Sequence, residues 1–78
     1  MQTRPAVAAK RTVFIVDDEP EIGNLLLDAM TQFDMEGRVF STAGEVLTAL
    51  ELEDPDACIV DLGLPDMEGM ALINEIRR

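Results

Sequence analysis

The sequence has no histidine and a single cysteine, Cys58. Without histidine, no Ser-His-Asp or Cys-His nucleophile can be assembled, and most zinc sites lose a usual ligand. With one cysteine no intrachain disulfide can form, so 78 residues must hold one small domain together through the core alone. Cys58 lies in an apolar run, and no histidine is present to activate it. It is expected to be a buried thiol in a reducing cytosol, which makes the expected location cytoplasmic. Basic residues are scarce too: 6 Lys and Arg stand against 16 Asp and Glu, a net charge of −10. This balance argues against binding nucleic acid through this segment and against an anionic membrane surface. No apolar run approaches the roughly 20 residues of a membrane span. Residues 1–10 (MQTRPAVAAK) lack the long apolar centre of a secretory signal, and residues 1–11 read as a mobile N-terminal arm before a domain over 12–78.

What is present is a hydrophobic pattern that changes period in a regular order. Val13-Phe14-Ile15-Val16 is a short apolar run rich in β-branched residues, as expected of a strand buried on both faces. Pro20 suits the first turn of a helix, and Ile22, Leu25, Leu26, Ala29 and Phe33 recur at helical spacing over about 20–33. Asp34 to Gly37 breaks that pattern, and Arg38 to Ser41 reads as a weaker second strand. Thr42 and Glu45 form a capping box for a second helix to about Leu52, with Ala43, Val46, Leu47 and Leu50 on its apolar stripe. After a polar turn, Ala57-Cys58-Ile59-Val60 repeats the buried-strand pattern. A loop holding Pro65 leads to a helix from Gly69, with Leu72, Ile73 and Ile76 inward. The β-α-β-α-β-α order predicts an α/β fold: a parallel sheet with right-handed crossovers and helices on both faces.

Both buried strands end in acids: Asp17-Asp18-Glu19 after the first, Asp61 after the third. The carboxyl ends of the strands are where sheets of this class bind ligands. With strands 1 and 3 adjacent, Asp17, Asp18 and Asp61 would converge, and their mutual repulsion would be relieved by proton uptake or by a cation. Mg²⁺ suits an all-oxygen site and keeps waters that a phosphate oxygen could replace. Taken alone, Asp17-Asp18-Glu19 before Pro20 serves equally well as an acidic helix start. For most of the other acids, solubility is explanation enough.

The stretches VFIVDDEPEI and CIVDLGLPDMEG closely resemble the receiver domain of two-component response regulators, over about residues 12–78. Asp17 and Asp18 match the family's acidic pair, Asp61 its phosphoacceptor, and Leu64, Pro65 and Gly69 its loop pattern. The resemblance implies a flavodoxin-like sheet with the first three βα units present, in strand order 2-1-3. It implies that Asp61 receives a phosphoryl group from a histidine kinase or histidine phosphotransfer protein. Mg²⁺ would be held by Asp18, by Asp17 directly or through water, by Asp61, and by the backbone carbonyl of Gly63. Glu19 would lie behind these ligands or in solvent, and Pro65 and Gly69 would shape the loop. Such a domain is a phosphoacceptor rather than an enzyme in its own right.

The family carries two further strands, with a switch Ser or Thr and a phosphate-binding Lys, and no residue here can be assigned those roles. The 78 residues are therefore expected to be a piece of a longer gene product, with an open edge on the third strand and apolar surface on the first helix. The alternative is a phosphorylation-incompetent receiver acting as an interaction module, such as a homodimer through the exposed edge strand. A phosphatase on a similar sheet fits less well: it would want Asp-x-Asp after the first strand, and Gly63 stands where its general acid would be.

Overall fold

A computed structural model of the chain describes residues 11–77. Strand β1 (Arg11–Val16) is followed by α1 (Pro20–Gln32), β2 (Met35–Phe40), α2 (Ala43–Leu50), β3 (Ala57–Val60) and α3 (Gly69–Ile76). The three strands form one parallel sheet in the order β2-β1-β3. The α/β class and the parallel sheet are those expected from the pattern, and the 2-1-3 order is the one the resemblance implies. Along β1, Val16 pairs with Phe40 of β2 and with Val60 of β3, so all three strands finish at the same level. Hydrogen bonds continue past the strand ends, from Asp17 N to Phe40 O (3.0 Å) and from Asp61 N to Val16 O (2.8 Å). The register of the sheet thereby carries straight into the acids.

The centre of the sheet explains why β1 reads as a continuous apolar run. Val13, Phe14, Ile15 and Val16 are all buried, two on each face. On one face Phe14 and Val16 pack with Ala43 and Val46 of α2, Leu64 of the β3–α3 loop and Leu72 of α3. Phe14 and Phe40 meet with ring centroids 4.9 Å apart, and the Arg38 guanidinium, paired with Glu53, lies over both rings. On the other face, α1 comes close because Gly23 has no side chain: a Cβ there would lie 2.9 Å from Val39 Cγ1. Each fully buried Phe, Ile, Leu or Val on these faces contributes about 1.5–3 kcal/mol.

Five local readings are corrected. The second strand starts at Met35, not Arg38, because the helix is stopped by a single residue: Asp34 takes φ 61°, and extended structure begins directly after it. The inward face of α1 is carried by Gly23, Leu27 and Met30 as well as Leu26. Leu25 and Phe33 are 65% and 71% exposed. Strand β3 is not buried on both faces, since Ala57 and Ile59 are exposed on the side away from α2 and α3, where no element of the described residues covers them. Cys58 points to the opposite face, against the core, and is only half-buried there, which is still enough for desolvation to raise its thiol pKa. Finally, α2 ends at Leu50 and leaves Leu52 88% exposed. The proposed arm lies outside the described residues except for Arg11, which opens β1.

Candidate functional site

The β1–α1 loop is short and organises itself. Asp17 Oδ1 accepts a hydrogen bond from Glu19 N at 2.9 Å, an Asx turn that directs the chain into α1 at Pro20. Glu19 takes the N-cap position of α1 without a side-chain cap bond, so the helix-start role is carried by backbone and by Glu21 in the first turn. Asp18 is exposed and Asp17 half-buried.

The β3–α3 loop is longer and is held from several directions. Asp61 Oδ1 accepts from Gly63 N at 3.1 Å. Gly63 forms an isolated antiparallel bridge with Glu68, and Gly69 N donates to Leu62 O at 3.1 Å, so the loop closes on itself. Leu64 is buried in the main core. Gly69 is also buried, and a Cβ on it would lie 2.5 Å from Leu62 Cα and 2.7 Å from the Asp61 carbonyl oxygen. Only glycine lets α3 start this close to the acid.

Carboxylate oxygens of Asp17, Asp18 and Asp61 lie within 4.8 Å of one another. The three residues singled out from sequence are therefore brought together by the adjacency of β1 and β3. Gly63 sits beside them through its bond to Asp61. The donors are hard oxygens, which suits Mg²⁺ or Ca²⁺ rather than a soft transition metal. In an octahedron with bonds of about 2.1 Å, opposite oxygens are about 4.2 Å apart. The observed spread is within a fraction of an ångström of that, so the residues fit such an ion.

One residue at this end of the sheet was missed. Asp66, in the same loop, accepts from Ala43 N at 2.9 Å and from Gly44 N at 3.0 Å, the first two residues of α2. Those two amides, with no positive side chain involved, hold its carboxyl below the ordinary carboxylate range. Across the same helix end, Thr42 Oγ1 accepts from Glu45 N, and Glu45 reaches back to Ser41 N rather than to Thr42 N. The sequence signal was an Asp in a Pro-containing loop, but its partners are 22 and 23 residues away and no local pattern points to them.

The chain is a flavodoxin-like α/β protein with an acidic cluster at adjacent strand ends, and comparison with known proteins narrows that class. Residues 13–78 match the response regulator receiver domain family. The chain belongs to that family. It is 40% identical over 68 residues to the DNA-binding transcriptional regulator NtrC of Proteus hauseri, covering 87% of this chain and 14% of that protein. It is 36% identical over 66 residues to the transcriptional regulatory protein BaeR of Escherichia coli O6:H1, covering 85% and 28%. Among solved structures, the CheY-like receiver domain from Methylobacillus flagellatus superposes with a TM-score of 0.84 at 24% identity, over 87% of this chain and 58% of that one. A chain from the complex of histidine kinase ThkA with response regulator protein TrrA gives 0.81 at 28% identity, over 86% and 58%. The chain thus spans under a third of these curated relatives and somewhat over half of these solved chains. Among the described residues, no helix is long and apolar enough to cross a membrane.

Proposed function

We propose that this segment receives a phosphoryl group on Asp61, with Mg²⁺ bound by Asp17, Asp18, Asp61 and the Gly63 carbonyl, in a two-component phosphorelay. The observation that carries the reading is the convergence of three carboxylates from two separate strand ends. A carboxylate approaching a phosphoryl donor meets like charge, and a bound divalent cation supplies the charge that offsets it. The chain's own part is to hold the nucleophile. The Gly63 amide fixes Asp61 Oδ1, while Asp61 Oδ2 accepts no hydrogen bond from the described residues and is left to attack phosphorus. The new O–P bond forms as the N–P bond of a phosphohistidine breaks, and the departing imidazole nitrogen takes up a proton. Asp17 is held in place by its turn with Glu19.

A histidine kinase or histidine phosphotransfer protein is the donor this chemistry calls for. The likeness to a chain from a kinase–regulator complex supports that choice. Because the matched stretch is a small part of NtrC and BaeR, the reading is confined to phosphoryl reception. The test is incubation of the intact protein with Mg²⁺ and a small acyl phosphate. A hydroxylamine-labile phosphate is expected, lost with chelator and lost in Asp61→Asn. Labelling that survives Asp61→Asn rejects the assignment.

A further inference from the structure

Resting on that reading of the site, we propose that Asp66 is a positioning residue: it clamps the β3–α3 loop to the start of α2 and so fixes where Gly63 presents its carbonyl beside Asp61. The loop is a closed hairpin, with Gly63 bridged to Glu68 and Gly69 bonded to Leu62. A hairpin closed at its base can still pivot as a body. Its tip, Leu64 to Met67, is tied to the rest of the molecule by the Leu64 and Met67 side chains against the core and by the Asp66 carboxylate on α2. Apolar contacts alone set no direction for the loop, and the two directed bonds from α2 fix its orientation.

The clamp is well made for this task. Both Asp66 oxygens are engaged, each by a separate backbone amide, so the carboxylate cannot turn without breaking a bond. Asp66 stands outside the group of acids that lie within 4.8 Å of one another, and its oxygens are already committed. It acts through the loop and is not a ligand. The helix it caps follows β2 directly, and β2 holds Asp17 through Asp17 N to Phe40 O. The same carboxylate therefore ties the loop after Asp61 to the helix that follows the strand holding Asp17.

The experiment compares Asp66→Ala, Asp66→Asn and Thr42→Ala in the intact protein, titrating Mg²⁺ alone and following the Gly63 amide by NMR. Thr42→Ala removes a cap from the same helix end while leaving the loop attached. The expected result is about tenfold weaker Mg²⁺ binding in Asp66→Ala, the size typical when a residue supporting a metal ligand is lost. Asp66→Asn, which keeps one acceptor oxygen, should fall between, and Thr42→Ala should lower the melting temperature without changing Mg²⁺ affinity. Unchanged affinity in a folded Asp66 variant, or a loss no greater than in Thr42→Ala, overturns the clamp alone. Absence of Mg²⁺ binding in the wild type overturns the reading of the site, and the clamp with it.

Discussion

The two loops that carry the acids are built in opposite ways. Asp17 and Asp18 sit on a turn of three residues between β1 and α1, stabilised by a bond from residue 19 to residue 17. Asp61 opens an eight-residue connection between β3 and α3 whose shape depends on the core, on α2 and on the first residue of α3. The short loop needs only its own residues and the ends of β1, β2 and α1. The long one is correct only when the whole α2–α3 face has assembled. Placement of Asp61 is therefore the more demanding half of the site, and the half more exposed to remote substitution.

The contrast can be broken most strongly at Leu64. Leu64→Ala removes the buried apolar anchor of the long loop, leaving only the partly buried Met67, and should cost about 2–5 kcal/mol, read as a lower urea midpoint. Amide shifts should change at Asp61 to Gly69 more than at Asp17 to Glu19. Gly69→Ala should cost less, about 1–3 kcal/mol, because the added methyl meets backbone that must give way. Its signature is displacement of residues 61 and 62, seen in their amide shifts. Wild-type shifts at those two residues in the Gly69→Ala variant would show that α3 is free to slide.

The smallest effect sharpens the comparison through pH. The folded-state pKa of Asp66 is depressed from an ordinary value of 3.8, so its contribution to stability is present above that value and is lost as pH falls through the folded pKa. The stability difference between wild type and Asp66→Asn should therefore be present at neutral pH and close in acid. A difference that stays constant from neutral pH into strong acid would show that the two α2 amides do not favour the charged form.

What could be read from sequence follows the same division. The order of elements and the acids at strand ends were legible, because burial on both faces of β1 imposes a continuous apolar run with an abrupt polar end. The convergence of Asp17 and Asp18 with Asp61 followed from strand adjacency. Buried status of β3 was misjudged, because the same apolar run is written whether or not a neighbour covers it within these residues. The stripe on α1 was misplaced, because periodicity counted Leu25 and Phe33 and could not see that Gly23 sets the contact with Val39. Asp66 was silent, since a carboxylate that caps a distant helix looks like any other acid in a loop.

Gly69 has one more consequence. Where two segments meet through a flexible side chain, a small displacement is absorbed by a change of rotamer. Here α3 rests directly on the main chain of residues 61 and 62, with no such cushion between them. Any shift of the main chain at the tip of β3 is passed undamped to the first turn of α3, which moves with it as one piece of mechanism.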